Sequence, residues 1–528
     1  MKVAIVGAGL SGLVTLKECL AEGFEAEVFE AQSHIGGAWK YQEPDPKTGQ
    51  VHSSMYRGLV TNGCRESFAY SDFPCDPARY PDYLSHQQVL QYLEEYASFF
   101  DLARHVRFRT QVQQCSQLED KTWSVAWEED GEPKSGNYDA VFACSGHLST
   151  PYMPSFTGEE LFGGLIVHSH TYRDPEAFKG KRVAILGIGS SAADIACELV
   201  GHAEDIRIVT QRGGWIFPRY VLGKTLESYD NRAAQTLIPS SISQWAQQLL
   251  LDFVSGKHPP ELAPHHKVLE AAPTVRGDFL EKLRMRRFEV LRTGIDHLTP
   301  DGIVTSNGQQ VKVDVIICCT GYKLDYPYLP LDSYRPLSAG KDTSDKNKVV
   351  NLYELIHPID YTRLYFIGLP EIPGSLPPVA ELQARWCVGI LAQRIPQPTP
   401  DQLAHGVRLL QADQAKLFVH SARHALASPY LPYCDRLASQ LGARPTFMKL
   451  VRQLFRSGHP LLWLRLLNAV YNKLPGMAQY RLFGDKNKRE LAVATILRTT
   501  GKNLGMGEKE TLLLQQSKEG GIAKDGSM

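Results

Sequence analysis

The sequence predicts an α/β protein built from two Rossmann-like dinucleotide-binding units, the second inserted into the first, with a helical C-terminal extension. Three observations predict this. An apolar strand meets a glycine-rich turn at the start, Lys2-Val-Ala-Ile-Val-Gly7-Ala8-Gly9-Leu10-Ser11-Gly12. The pattern recurs as Lys181-Arg-Val-Ala-Ile-Leu-Gly187-Ile-Gly189-Ser-Ser191-Ala192. Two later apolar strands, Asp139 to Gly146 and Val313 to Tyr322, end in small-residue turns without opening a fingerprint. These read as the crossovers that leave and re-enter the first unit.

In the first unit, Val3 to Val6 reads as a buried parallel strand and Leu13 to Ala21 as a helix. A second strand, Ala26 to Phe29, ends in Glu30. Strand, turn, helix, strand and acidic tip together make a dinucleotide fingerprint. Gly7 permits the tight turn, Gly9 admits a pyrophosphate to the backbone, and Gly12 lets helix and strand pack closely. Glu30 can accept hydrogen bonds from an adenosine ribose. Gly36-Gly37-Ala38-Trp39 follows. Two glycines before an aromatic suggest backbone beside a ligand, with an ordinary turn as the alternative. Thr61-Asn62-Gly63 contains a turn signal that also suits a plain surface turn. Ser85 to Phe100 predicts an amphipathic helix with Ser85 as N-cap. Partial alternation from Val106 to Trp127 suggests strands.

The second unit repeats the plan with a helix over Ala193 to Val200, beginning Ala193-Asp194, and a strand over Ile206 to Thr210. Alanine is an accepted third position. The tip differs: Gln211-Arg212 stands where the first unit has Glu30. A carboxylate repels a 2′-phosphate, whereas arginine pairs with it bidentately. The first site is therefore expected to take FAD, and the second to prefer NADP over NAD. The alternative for Arg212 is a solvated surface charge. Leu364 to Gly368 reads as a strand returned to the first unit. The long connection from Gly213 to Val275, with a helical pattern over Ser241 to Phe253, is placed to cover a substrate entrance.

From Gly442 onward the composition shifts. Leu450, Val451, Leu454 and Phe455 share a helix face, and Leu461-Leu-Trp463-Leu-Arg465-Leu-Leu467 follows. Lys449, Arg452, Arg456, Arg465, Lys473 and Arg481 make this section basic. Basic helices carrying Trp and Leu can lie in a membrane surface through residues 449–474, or pack on the body of the protein. Arg465 counts against a span. Residues from about Gly505 to Met528 read as disordered. The expected division is 1–155 for the first part of the FAD domain and 156–318 for the NADP domain, with its inserted region 213–275. Residues 319–440 complete the FAD domain, and 441–528 form the extension and tail.

Composition narrows the function classes. The 528 residues carry zero net charge, which argues against a nucleic-acid partner. The ten cysteines are scattered and none forms a CxxC pair, so a reduced, cytosolic setting is expected. The chain starts at once with a strand, so no signal peptide is expected. No stretch offers the ~18 apolar residues of a membrane span. A cytosolic setting follows as the expectation, with a homodimer left open.

Further residues carry a family resemblance. Phe162-x-Gly164-x-x-x-His168-x-x-x-Tyr172 lies just before the second fingerprint. Thr61-Asn62, Tyr70-Ser-Asp72-Phe73-Pro74, Ala380-Glu-Leu-Gln-Ala-Arg-Trp386 and Gln479-Tyr-Arg-Leu482 add to it. Over residues 1 to about 485 the chain resembles the flavin-containing monooxygenases of the animal microsomal, N-oxide-forming type. The family's Ala-Thr-Gly-Tyr stands here as Cys319-Thr-Gly-Tyr322, a small residue that keeps the turn. Family members commonly end in a hydrophobic anchoring helix, and this chain ends in a polar tail.

The resemblance implies that NADPH reduces FAD and that dioxygen forms a C4a-hydroperoxyflavin, which oxygenates a nucleophilic nitrogen or sulfur of a small molecule. It makes Asn62 the catalytic residue near the flavin, and His168 a positioning residue at the domain junction. From the residues alone, His168 is a structural histidine. A Baeyer–Villiger monooxygenase acting on ketones remains open, although its motif ends in Trp or Phe where this chain has Tyr172. An uncoupled NADPH oxidase-like flavoprotein remains open too. A disulfide reductase lacks its redox cysteine pair here, since Cys64 and Cys75 stand too far apart. A scaffold that keeps only flavin binding fits poorly with intact glycines, Asn62 and Arg212. No metal is expected.

Overall fold

The structure is a computed structural model that describes residues 1–335, 350–419, 425–484 and 486–499. The expected disorder of residues 505–528 lies outside the described residues. Two five-stranded, all-parallel sheets form the body. The first runs Leu364–Phe366, Ala140–Ala143, Lys2–Val6, Glu25–Phe29, Val106–Arg107. The second runs Glu289–Leu291, Asp205–Val209, Arg182–Leu186, Val315–Cys318, Leu165–His168. Each fingerprint strand is central in its sheet, which explains its unbroken apolar run: a parallel strand covered on both faces has no polar side. Val3, Ala4 and Ile5 are fully buried.

The fingerprint helices span Leu10–Ala21 and Ser190–Leu199. Both begin ahead of the predicted Leu13 and Ala193, because Gly9 and Gly189 are extended and act as N-caps. Glycine offers no side-chain cap, so the first N–H groups stay available to an anion. The predicted helix after Ser85 spans His86–Phe99, and Ser85 closes a capping box with Gln88. A three-stranded antiparallel meander follows each sheet's outer strand. It comprises Thr110–Gln117, Trp123–Glu129 and Glu132–Tyr138 in the first unit. In the second it comprises Ile295–Thr299, Gly302–Thr305 and Gln310–Lys312.

The two crossings between the units lie side by side, Thr150–Pro151 pairing antiparallel with Tyr322–Lys323. The inserted region is tied off at its ends, where Ile216–Phe217 pairs with Thr274–Val275. Between them lie helices Arg232–Leu237 and Ser240–Ser255.

In the extension, helices Phe447–Arg456 and Pro460–Asn472 pack on each other. Leu450, Trp463, Leu466 and Val470 are buried. The tryptophan of the basic run therefore faces inward, while Phe455 and Leu461 face out at 84% and 73% exposure. Among the described residues no helix is long and apolar enough to cross a membrane.

Beyond this pair the chain returns to the first unit. Arg481 is buried, donating to Glu381 at 2.6 Å, Glu18 at 2.8 Å and the Ser71 hydroxyl at 2.8 Å. Lys17 joins Glu18 and Asp72, each at 2.6 Å. Burial pushes the Glu18 carboxyl up, but Lys17 and Arg481 outweigh it and hold it down to about 2. The same cations, with Lys488, hold Asp72 down against its own burial. The three carboxylates are thus balanced by cations, and the cluster is a clasp between the C-terminal segment and the first fingerprint helix.

Candidate functional site

The first turn is built as a tight cradle. Gly7 adopts φ +103°, and a Cβ at Gly12 would stand 1.8 Å from the Gly7 carbonyl oxygen. Gly9 is bordered only by the Gly37 backbone, with nothing nearer than 3.7 Å to its Cβ position. The Gly36 amide donates to the Ala8 carbonyl at 3.0 Å, so Gly36-Gly37 forms the rim of this turn. Ala38 accepts from the Ser53 hydroxyl at 2.6 Å, and Trp39 packs edge-on to Phe68. Glu30 lies under the turn, accepting from Ala8 N at 2.7 Å and Gln32 N at 2.8 Å. Leu10 and Ser11 begin the helix, and the Ser11 hydroxyl packs against Gly368, 2.2 Å from its Cβ position. These residues fit an adenine dinucleotide: uncapped helix N–H groups, a glycine open to close approach, and a carboxylate at the strand tip.

The second turn has the same build. Gly187 adopts φ +120°, and its Cβ position lies 2.7 Å from the Cys319 carbonyl oxygen. Ser191 is half-buried, whereas Ala192 and Ala193 are fully buried packing residues. Asp194 also turns inward. It accepts from the Tyr56 hydroxyl and pairs with Arg276 at 3.0 Å, so its carboxylate braces the unit from within. Arg212 is exposed at the strand tip. A second arginine, Arg292, holds that tip by donating to Gln211 O at 3.0 Å and Ala263 O at 3.1 Å. An arginine exposed at the tip and another bracing the loop suit a phosphorylated ribose.

Thr61, Asn62 and Gly63 form a loop between the two turns. Thr61 is buried and fixes the loop, its hydroxyl donating to Gly63 O at 2.9 Å and accepting from Leu84 N at 3.0 Å. A Cβ at Gly63 would stand 2.1 Å from the Ser375 hydroxyl oxygen, so that hydroxyl would have to turn aside. Asn62 is left exposed. Its Nδ2 donates to the Ser190 hydroxyl at 3.2 Å, in the first turn of the second fingerprint helix. A loop of the first unit therefore carries an amide to the mouth of the second.

The Phe162–Tyr172 pattern maps onto the junction. A Cβ at Gly164 would stand 2.4 Å from Asp314 O, so glycine is required there. His168 donates from Nε2 to Gly321 O at 3.0 Å and accepts at Nδ1 from His170 N at 3.0 Å. Burial holds its imidazole down to about 4, so at neutral pH it is an uncharged joint between the second sheet and the returning crossing. Tyr172 donates to Glu198 at 2.9 Å on the fingerprint helix, and burial pushes that carboxyl up.

Sequence reasoning missed Ser190, Arg219 and Arg292. Ser190 was legible as the residue directly after Gly189. Arg219, which donates to Asn62 Oδ1 at 3.3 Å, and Arg292 sit in no motif, and only their partners mark them.

A family model described as flavin-binding monooxygenase-like matches residues 1–504. Flavin-containing monooxygenase 2 of Homo sapiens is 32% identical over 497 residues, covering 92% of this chain and 89% of that protein. The N-oxide-forming dimethylaniline monooxygenase 2 of Pan troglodytes matches with the same identity and coverage. Among solved structures, S-allyl-L-cysteine S-oxygenase from Allium sativum aligns with a TM-score of 0.62 at 25% identity, covering 95% of this chain and 98% of that one.

Proposed function

The chain belongs to the flavin-binding monooxygenase-like family, and from that premise we propose that it oxygenates a nucleophilic nitrogen or sulfur atom of a small molecule. It is an FAD-containing, NADPH-dependent monooxygenase. In this reading Gly7, Gly9, Gly12 and Glu30 hold FAD, while Gly187, Gly189, Ser191 and Arg212 hold NADPH. The flavin supplies hydride acceptance and oxygen activation when bound.

The observation that carries the reading is Asn62. Its backbone is fixed in the first unit and its amide reaches Ser190 of the second at 3.2 Å. A carboxamide donates and accepts at once, so Asn62 would be able to hydrogen-bond to both cofactors when they are bound. Behind Asn62 the buried Thr61 holds the loop through its hydroxyl bonds to Gly63 O and Leu84 N, which fixes the backbone that presents the exposed amide. The names of two relatives, an N-oxide-forming monooxygenase and an S-oxygenase, support the choice of nitrogen or sulfur.

Asn62→Asp tests the reading. A carboxylate cannot donate, so the variant keeps its FAD spectrum and its N-oxide yield falls about 100-fold, the scale of a lost oxyanion donor. An unchanged N-oxide yield with an amine substrate refutes the role.

The same proposal includes peripheral attachment to the cytoplasmic face of the endoplasmic reticulum membrane. Phe447, Met448, Phe455, Leu461 and Leu464 are exposed beside Arg452, Arg456, Arg465 and Lys473. Helix Arg232–Leu237 contacts Pro460–Asn472 and leads to the helix that exposes Trp245 and Phe253. Apolar side chains ringed by cations suit an anionic lipid surface. Co-sedimentation with anionic vesicles, lost in Phe455→Glu/Leu461→Glu, is the expected result; no sedimentation of the parent protein refutes it.

A further inference from the structure

We propose that Arg219, supplied by the inserted region, is a positioning residue that sets which way round the Asn62 carboxamide sits. The inference rests on the reading of Asn62 given above. Arg219 reaches back to the Asn62 loop with three contacts. Its Nη2 donates to Val60 O at 3.1 Å and Asn62 Oδ1 at 3.3 Å, and its Nε donates to Thr61 O at 3.2 Å.

A guanidinium has donors and no acceptor. The amide oxygen of Asn62 must therefore face Arg219, which leaves the amide nitrogen pointing toward Ser190, where it donates. In the flipped arrangement the amide N–H groups would oppose the guanidinium N–H groups. One cation thus selects one of two side-chain orientations, and with it the atom presented at the mouth of the second unit. An amide held only by solvent or by groups that both donate and accept would have no such preference.

Arg219 is itself fixed. Its guanidinium carbon lies 5.9 Å from the centre of the Tyr83 ring, and its backbone carbonyl accepts from the Tyr83 hydroxyl. Glu227, in the same inserted region, accepts from Cys64 N at 2.8 Å, just beyond Gly63. Burial pushes the Glu227 carboxyl up, consistent with its enclosed place between the region and the loop. The insertion therefore grips the Asn62 loop on both flanks: Arg219 at residues 60–62 and Glu227 at residue 64. The three-pronged grip needs the planar fork of arginine; lysine offers a point charge that cannot meet three acceptors in this array.

The test is a double-mutant cycle of Arg219→Gln with Asn62→Ala, read in two ways, with Arg219→Lys as the conservative variant. The first reading is product formed per NADPH consumed, with hydrogen peroxide measured as the remainder. Glutamine can both donate and accept, so it does not select an orientation. Arg219→Gln is expected to lower product per NADPH ~10-fold, the scale of one charge-assisted hydrogen bond, and Arg219→Lys to restore part of that loss. In the Asn62→Ala background the Arg219→Gln effect disappears. The second reading is thermal unfolding without added NADPH. The fall in Tm caused by Arg219→Gln is smaller when Asn62 is already alanine, because the contact is already gone. Additive effects in both readings, or undiminished product per NADPH in Arg219→Gln, overturn the proposal. Should Asn62→Ala alone leave the product yield intact while the Tm effects remain non-additive, the role of Asn62 falls, the positioning role falls with it, and the contact stands as a structural one.

Discussion

The two nucleotide-binding units are close copies in backbone and opposites in their surroundings. Each places its fingerprint strand at the centre of a five-stranded parallel sheet and follows the outer strand with a three-stranded meander. Each returns through a crossover strand ending in a small-residue turn, Cys144-Ser-Gly146 in one and Cys319-Thr-Gly321 in the other. Those turns do the same work: the Cys144 and Cys319 carbonyl oxygens lie 2.9 and 2.7 Å from the Cβ positions of Gly7 and Gly187. The units part at the strand tip, where one has the buried Glu30 and the other the exposed Arg212. They part again in what braces the fingerprint helix. The first helix is clasped through Glu18 by the distant, buried Arg481. The second is held through Asp194 by Arg276, from within its own unit and partly open to solvent. The sheets thus give both units one frame, whereas a few side chains outside them differ at the strand tip and brace each fingerprint helix in a different way.

The largest effect that would sharpen this contrast is at the clasp. Arg481→Met leaves Glu18 and Glu381 buried with a cation removed, and should cost about 3–5 kcal/mol of stability. Arg276→Met should cost about 1.5–3 kcal/mol, the scale of hydrogen bonds to charged groups. Denaturant unfolding compares the two, and equal losses would break the distinction. The pH dependence has a definite sign. Glu18 is held down to about 2 from an ordinary value of 4.5. Its contribution is complete above pH 4.5 and fades as pH falls from there toward 2, so the advantage of the parent protein over Arg481→Met narrows in that window.

A smaller contrast concerns the third fingerprint position. Gly12→Ala places a methyl group 1.8 Å from a backbone oxygen, and overpacking of that kind costs about 1–3 kcal/mol. FAD content of the purified protein should fall accordingly. Ala192→Gly, the reciprocal change in the second unit, should cost about 1 kcal/mol from helix propensity alone and leave FAD content untouched. At the second tip the expected effect is on cofactor choice and not on stability. Arg212→Ala should raise the KM for NADPH ~10-fold through loss of one charge-assisted pairing, with the KM for NADH unchanged. Steady-state kinetics with the two cofactors decide it, and an unaltered preference for NADPH would remove Arg212 from the site.

Much of this was legible in the chain. The strands, both turns and the Ser85 cap follow from apolar runs, glycines and a capping residue acting on their immediate neighbours. The contrast between Glu30 and Arg212 was legible because both occupy the same position in a repeated pattern. Other features were hidden. In Leu461-Leu-Trp463-Leu-Arg465-Leu-Leu467 nearly every position is apolar, so periodicity could not say that Trp463 faces inward and Leu461 outward. Asp194 stood beside the second turn in sequence, and only the structure shows that its carboxylate engages Tyr56 and Arg276.

The sequence by itself determined two nucleotide-binding units and the family to which their joint chemistry belongs, because backbone turns and strand burial are written in local residues. Tertiary structure alone decided that Arg219 meets Asn62, that Arg292 braces the Arg212 loop, and that Arg481 closes on Glu18. Such pairings form when the fold removes charged and polar groups from water and leaves each one partner within reach. Which partner that is depends on the path of the whole chain.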